Sequence, residues 1–173
     1  MAELDIKWVH LEMVLNEFAD AVIQRSRDYL DQNDSNASHN LYDTMEKIIQ
    51  IPSDENDNYF SVSISLADYW RYVENGRGPG RFPPIDKIKG WVEIKPVNIH
   101  PINGKTPTVE QVSFLIARKI ANDGTEAHPF FKPAVDELLP VYEVEIERAI
   151  QDDVYDFINE AVIEQLNKTF GKK

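Results

Sequence analysis

A segment near the middle of this chain can enter neither a helix interior nor a sheet. Residues 77–84 read RGPGRFPP, and their three prolines and two glycines interrupt any regular hydrogen-bond pattern. Asn75-Gly76, directly before this segment, suits a left-handed turn that ends a short helix with aromatic side chains at helical spacing. Pro83-Pro84 suits the first turn of a second helix. The sequence therefore predicts a loop between two helices, ordered either by itself or by a partner.

Hydrophobic spacing predicts the regular elements that precede this loop. A stripe with steps of three and four residues predicts one long first helix, from about residue 4 to residue 30, and consists of Leu4, Trp8, Leu11, Leu15, Phe18 and Val22. Apolar residues alternate with serines over 60–66, which is typical of a half-buried strand. Because turn-forming residues fill 52–58, this strand is expected to pair with 45–51 in an antiparallel hairpin.

Helical spacing also predicts three helices after the loop. The first has an apolar face made of Ile85, Ile88, Trp91 and Val92. The second ends at Asn122-Asp123-Gly124 and has two alternative caps, Thr106 with Pro107 or Thr108 with Gln111. The last covers about residues 134–170, where Pro140 kinks or splits it. The predicted fold class is α+β, with long N-terminal and C-terminal helices, a central antiparallel hairpin and a loop-rich centre.

The domain organisation follows from length and composition. A length of 173 residues fits one ordinary domain, so we predict a single domain over 1–173. Residues 31–40 contain no large apolar side chain and are predicted to form a mobile connection. The irregular stretches 76–84 and 96–107 are predicted to be interaction loops. No apolar run approaches the length that spans a membrane, so no membrane partner is expected.

No motif in the chain nominates a catalytic residue, a cofactor or a metal site. The glycines of the central loop are spaced G-x-G-x-G and precede two prolines, which fits neither the phosphate-binding nor the dinucleotide-binding pattern. Cysteine is absent, which excludes thiolate metal sites and thiol nucleophiles. His10 lies off the first hydrophobic stripe and is interpreted as a lone surface residue. The expectation is a protein that is not an enzyme.

Glu74 is the carboxylate with the most distinctive setting in the sequence, between an aromatic helix face and a glycine turn. An acid at this position can accept backbone N–H groups from the loop, or it can pair with Arg71, Arg77 or Arg81. We interpret Glu74 as a structural clasp, and a catalytic acid is the weaker alternative.

The charged residues are distributed in three blocks. The formal charge is −12 for the whole chain, −10 for residues 1–70, +5 for 71–119 and −7 for 120–173. A basic middle between acidic ends fits complementary contact between copies of the chain, and the candidate contact residues are Arg77, Arg81, Phe82 and Lys87. The alternative is that acidic helix faces keep the protein soluble. The acidic blocks disfavour a tight grip on nucleic acid because they repel phosphates.

Two motifs in the chain are similar to those of a known protein family. The first is Tyr69-x-x-Tyr72-Val73-Glu74-x-Gly76 followed by a proline-rich loop, and the second is Gly124-Thr125 followed by His128-Pro129-Phe130-Phe131-Lys132-Pro133-Ala134. With a long helix and a hairpin before them and a last helix after them, they resemble the small neck and tail-completion proteins of tailed bacteriophages, which include minor tail and head-tail connector components. The motif residues are Tyr69, Tyr72, Glu74, Gly76, Gly78, Pro83, Pro84, His128, Pro129, Phe130 and Phe131.

The resemblance implies a structural virion protein without a catalytic site. It implies that copies of the chain form a ring with portal, neck or tail proteins on either side, around a channel through which DNA passes without specific binding. The implied location is the virion, and the host cytoplasm during assembly. The chain departs from the family at Arg77-Gly78-Pro79-Gly80, where many members have a threonine after the glycine. A second hypothesis is a small cytosolic binding or regulatory module that acts through residues 77–87.

Overall fold

The computed structural model describes residues 6–33, 40–52, 59–94, 101 and 106–171. Helices account for 69% of the described residues and strands for 8%, so the protein is α+β, as predicted. The elements in chain order are α1 (Val9–Gln32), α2 (Asn40–Asp43), β1 (Glu46–Gln50), β2 (Ser61–Ser65), α3 (Trp70–Asn75), α4 (Ile85–Ile94), α5 (Val109–Asp123) and α6 (Phe131–Phe170).

The first helix follows the predicted hydrophobic stripe. Four stripe residues are buried, namely Leu11, Leu15, Phe18 and Val22, and Leu4 lies outside the described residues. α1 begins at Val9, so the predicted start near residue 4 is wrong and Trp8 precedes the helix. α1 also continues past its predicted end at Leu30, which is fully buried. The predicted mobile connection 31–40 therefore begins inside α1, and its residues 34–39 lie outside the described part of the chain.

The two strands form the predicted antiparallel hairpin. β1 and β2 are antiparallel, with Ile48 opposite Ser63 and Ile49 opposite Val62. Ser63 and Ser65 are exposed, whereas Val62 and Ile64, which alternate with them, are half-buried. The strand therefore has one apolar and one serine face, as its alternation indicated. Lys47 of β1 forms an ion pair of 2.6 Å with Asp20, which connects the hairpin to α1.

The last helix is longer than any other described element. α6 has 40 residues and runs through Pro140 without a break, so the alternative in which this proline splits the helix is wrong. Ala134 and Ala149 are buried, and the ring centre of Tyr142 lies 5.3 Å from that of Phe18 in α1. The contact between the two rings places Tyr142 of α6 against α1.

α4 and α5 form where helices were predicted, and the apolar face of α4 is only partly buried. α4 begins directly after Pro83-Pro84, and of its apolar face Val92 is buried while Ile85 and Trp91 remain 38% and 36% exposed. The cap of α5 is Thr108 with Gln111, since each side chain bonds the backbone N–H of the other, at 3.3 and 3.0 Å. The alternative cap, Thr106 with Pro107, is wrong. Gly124 ends α5 as predicted.

The chain divides into two compact units. The hairpin unit contains Met1–Gln24, Glu46–Ser65 and Ala134–Lys173, and the loop unit contains Arg25–Met45 and Leu66–Pro133. α1 and α6 each contribute residues to both, so the division runs through continuous helices. The single domain over 1–173 stays a prediction. Most of the predicted interaction loop 96–107 lies outside the described residues.

Candidate functional site

A buried carboxylate joins α3 to the start of α6. Glu74 is only 6% exposed, and its Oε2 accepts hydrogen bonds from the backbone N–H groups of Phe130 and Phe131, each at 2.9 Å. Its Oε1 accepts a third hydrogen bond, from the N–H of Lys132 at 3.0 Å. The first N–H groups of a helix have no partner within the helix, and an ionised carboxylate also interacts favourably with the helix dipole there. Glu74 is therefore the N-terminal cap of α6, supplied from 56 residues earlier in the chain.

This contact confirms one of the two roles predicted for Glu74 and corrects its partner. The carboxylate accepts backbone N–H groups, as expected, but the donors belong to the second sequence motif and not to the central loop. Arg71, Arg77 and Arg81 do not pair with it. The Arg71 guanidinium lies 5.5 Å from the Trp70 ring centre, and the Arg77 guanidinium donates to the carbonyl oxygen of Arg81.

The chain that leads into α6 is fixed by one backbone hydrogen bond and one aromatic side chain. The N–H of His128 donates to the carbonyl oxygen of Val73 at 2.8 Å. The next residue is a proline, which has no N–H, so the donors to the carboxylate begin at Phe130. Phe130 is fully buried. Phe131 is half-buried, with its ring centre 6.0 Å from that of Trp70.

Two glycines allow the two motifs to approach closely. Arg77 and Thr125 form an antiparallel bridge with N–H to oxygen distances of 3.0 and 2.8 Å. The glycine before each of them has a left-handed backbone, with φ of 67° at Gly76 and 81° at Gly124. A Cβ atom on Gly76 would lie 2.6 Å from the Thr125 carbonyl oxygen, and one on Gly124 would overlap the Arg77 carbonyl oxygen. Both conformation and space therefore require glycine at these positions.

We call the contact between residues 73–77 and 124–132 the motif junction. Of the predicted motif residues it contains Glu74, Gly76, His128, Pro129, Phe130 and Phe131. The other motif residues have different surroundings. Tyr69 and Tyr72 are 37% and 61% exposed, and a Cβ atom on Gly78 would have no neighbour within 4 Å. Pro83 is buried and Pro84 is exposed.

The central loop is ordered by contacts within its own chain. The N–H of Gly80 donates to the carbonyl oxygen of Ala121 in α5 at 2.8 Å, and the ring centre of Phe82 lies 5.6 Å from that of Phe114, also in α5. Of the two predicted alternatives, order without a partner is the one observed. The predicted contact residues remain accessible, since Arg77 is half-buried and Arg81, Phe82 and Lys87 are exposed.

A second buried carboxylate caps α1 in the same way. Asp153 of α6 is 2% exposed, and it accepts hydrogen bonds from the backbone N–H groups of His10 and Leu11, each at 2.9 Å. The Nδ1 atom of the His10 imidazole lies 2.8 Å from Asp153 Oδ1 and donates to it, because an ionised carboxylate can only accept. His10 is thus not the lone surface residue that the sequence suggested.

The sequence contains a signal for the structural role of Asp153, which no motif indicates. Ile146, Ala149 and Ile150 define the side of α6 that packs inward, and Asp153 is the next position on that side. A carboxylate at a buried position needs hydrogen-bond partners, so an acid that interrupts an apolar face indicates a structural role. Its partners at the start of α1 are more than a hundred residues away, as the 142-residue separation from Leu11 shows, and no local pattern points to them.

The contact between His10 and Asp153 changes the pKa of each side chain in the direction that favours its charged form. The hydrogen bond from the imidazole to Asp153 raises the pKa of His10 above its ordinary value of 6.5, against the smaller opposing effect of desolvation. Burial by itself raises the pKa of Asp153, but the hydrogen bonds from the His10 and Leu11 backbone and from the imidazole together lower this pKa below its ordinary value of 3.8.

The raised pKa of His10 makes stability depend on pH. A group whose pKa is higher in the folded state stabilises fully below its ordinary pKa, and this stabilisation is lost as the pH rises through the folded pKa. As the pH rises above about 6.5, the melting temperature of the wild type should therefore fall relative to that of His10→Gln, because the stabilisation by protonated His10 is lost. Thermal unfolding followed by circular dichroism at each pH tests this, and an identical pH dependence of both proteins would contradict it. For Asp153 the sign is opposite, since its contribution is present above 3.8 and lost as the pH falls through the lowered pKa.

Within the part of the chain that the structure describes, no group of three or more histidine or carboxylate side chains is placed to hold a metal ion. Among the same residues, no helix combines the length and apolar character needed to cross a membrane. Comparison of the chain with protein-family models, with curated proteins and with solved structures gave no match in any of the three. The fold and its site thus define an α+β protein whose two longest described helices are capped by buried carboxylates from distant parts of the chain.

Proposed function

We propose that the protein is a structural subunit of a tailed-bacteriophage virion, where its copies form a ring in the neck or tail around the DNA channel. The motif junction is the observation that carries this proposal. The two motifs behind the resemblance are far apart in the sequence, yet Glu74 of the first binds three N–H groups of the second. The two motifs therefore form one structural contact. Two short motifs that resembled the family by chance would have no reason to contact each other.

An exposed apolar surface supports an oligomer. Eight large apolar residues of α6 keep half or more of their surface exposed, namely Val141, Val144, Tyr155, Ile158, Val162, Ile163, Leu166 and Phe170. Large exposed apolar surfaces mark sites that bind another protein. Contact between copies in a ring would remove this surface from water.

The charge of the chain supports passage of DNA without binding. A net charge of −12 and many exposed acids on α6 repel phosphates, so DNA would slide past such a surface and not adhere to it. A titration of labelled duplex DNA with the protein at low salt is expected to show no saturable binding. Tight binding at low salt that weakens steeply with added salt would contradict this part of the proposal.

The proposal predicts that the purified chain assembles by itself into closed rings. Light scattering coupled to size-exclusion chromatography should give a mass that is a fixed multiple of 19.9 kDa as the concentration rises, and negative-stain micrographs should show rings with a central hole. In tailed particles that contain the chain, an antibody against it should label the junction of head and tail. A monomer or dimer at every concentration up to the millimolar range would contradict ring formation.

A monomer or dimer at every concentration is the result expected of the alternative function, a cytosolic binding or regulatory module. The observation that favours this alternative is the ordered central loop, which displays Arg81, Phe82 and Lys87 without the help of a partner. A module of this kind would remain a monomer or dimer and would lose its partner when this loop is altered.

A further inference from the structure

The exposed side of α6 has the spacing of a coiled-coil contact. Its residues follow one another in alternating steps of three and four, and they are Val141, Val144, Arg148, Gln151, Tyr155, Ile158 and Val162. All of them are exposed. Such a pattern keeps one seam of a long helix facing a partner over its whole length. We call this seam, with the adjoining Leu166 and Phe170, the outer face of α6.

Acidic residues line the outer face. Glu145, Glu147, Asp152 and Asp156 lie beside it in the sequence of α6, and all four are exposed. None of them forms an ion pair with another described residue. A second outer face is therefore a poor partner, because two copies of this surface would bring acids together. The surface that fits is apolar in the middle and basic at its edges.

The loop unit carries a surface of that description on α5. Phe114 and Leu115 are 47% and 38% exposed, and Arg118 and Lys119, close to them on the same helix, are exposed as well. The Phe82 ring of the central loop packs against Phe114 and brings the preceding residue, Arg81, to the same region. We call these six residues the basic face of α5. The guanidinium of Arg118 and the ammonium of Lys119 form no ion pair with any described residue.

We propose that the basic face of α5 in one copy docks on the outer face of α6 in the next copy. The inference rests on the proposed ring and deepens it by naming the two surfaces. The contact is between different surfaces of identical chains, so each copy offers one of each to its neighbours. A contact of this type repeats around a ring when the rotation between copies closes, whereas a contact between identical surfaces stops at a dimer.

Two variants with one damaged surface each test this pairing. The α6 variant is Ile158→Asp with Val162→Asp, and the α5 variant is Leu115→Asp with Arg118→Glu. All four side chains are exposed, so circular dichroism should show a folded chain in both cases. Each variant alone should be a monomer, with association weakened by about a hundredfold or more, because each loses a central apolar anchor and gains repelling charge.

The mixture of the two variants gives the decisive result. The α6 variant retains its basic face and the α5 variant retains its outer face, so an equimolar mixture should form a one-to-one heterodimer and nothing larger. Analytical ultracentrifugation measures this directly. Asn167→Asp on α6 and Arg71→Glu on α3 are the matched controls, and both should form rings like the wild type. Added salt should weaken the heterodimer, since exposed charges are screened over about 10 Å at about 0.1 M.

The outcomes separate this inference from the proposed function. If the wild type forms rings and either damaged variant still does so, the pairing of these two faces is wrong and the ring proposal stands. If both variants are monomers and their mixture contains no heterodimer, the head-to-tail pairing is likewise overturned. A wild type that stays monomeric at every concentration overturns both proposals.

Discussion

Replacement of Glu74 by alanine is expected to lower the free energy of unfolding by about 3–5 kcal/mol. The substitution leaves the N–H groups of Phe130, Phe131 and Lys132 without the acceptor that they have in the folded protein. Phe130, the first of these residues, is fully buried, so water does not reach its N–H group easily and the unpaired group lowers stability. The favourable interaction between the negative charge and the start of α6 is lost as well.

Two companion substitutions give this prediction its controls. Glu74→Gln keeps the shape and one acceptor oxygen but turns an NH₂ group toward N–H donors, so a smaller loss of about 1–3 kcal/mol is expected. Glu126→Ala, at an exposed position within the motif junction, should change stability by no more than about 0.5 kcal/mol. Urea denaturation at neutral pH measures all three, and amide hydrogen exchange at residues 130–132 should accelerate most in Glu74→Ala. Equal stabilities of Glu74→Ala and Glu126→Ala would contradict the capping role.

Replacement of Gly124 by alanine should destabilise the protein by about 2–4 kcal/mol, because two penalties coincide at this position. Its φ of 81° is unfavourable for a residue with a side chain. The added Cβ would also overlap the carbonyl oxygen of Arg77, which is backbone and cannot turn aside as a flexible side chain can. Relief of the overlap would separate the two chain segments joined by the Arg77–Thr125 bridge and weaken both of its hydrogen bonds.

The central loop supplies a matched control for this substitution. Gly78 belongs to the proline-rich loop after the first motif, but its φ is not in the left-handed region and no atom lies within 4 Å of its Cβ position. Gly78→Ala should therefore be neutral or slightly stabilising, by up to about 1 kcal/mol, since alanine restricts the unfolded chain. Gly76→Ala, with its Cβ 2.6 Å from the Thr125 carbonyl oxygen, should resemble Gly124→Ala. Chemical denaturation of the three variants tests the order, and a Gly124→Ala protein as stable as Gly78→Ala would refute the close approach.

The two capping carboxylates show which parts of a tertiary contact a sequence reveals. Glu74 was recognisable because an acid between a short aromatic helix and a glycine turn has few solvated alternatives. The buried role of Asp153 was not predicted, although this residue interrupts the inward side of α6. By charge alone it cannot be distinguished from the exposed acids beside it. In both cases the donors lie in a distant segment. The packing of the helices determines which segment supplies the donors, and the spacing of residues in the sequence does not indicate this segment.

The sequence by itself determined the elements whose causes are local. Hydrophobic period determined α1 and the hairpin, and short-range turn chemistry determined the ends of α3 and α5 at Gly76 and Gly124. The sequence left two candidate caps for α5, and the structure selected Thr108 with Gln111. These features depend on residues within a few positions of one another, so a local pattern is sufficient to specify them.

Only the tertiary structure decided how these elements meet. It placed the start of α6 on the Glu74 carboxylate, set Gly124 against the backbone of Arg77, and paired His10 with Asp153. It also carried α6 through Pro140, which local preference alone would treat as a kink or an end. Each of these outcomes depends on burial and on hydrogen-bond partners that come from elsewhere in the chain, and the free energy of those long-range contacts outweighs the local preferences that a sequence pattern expresses.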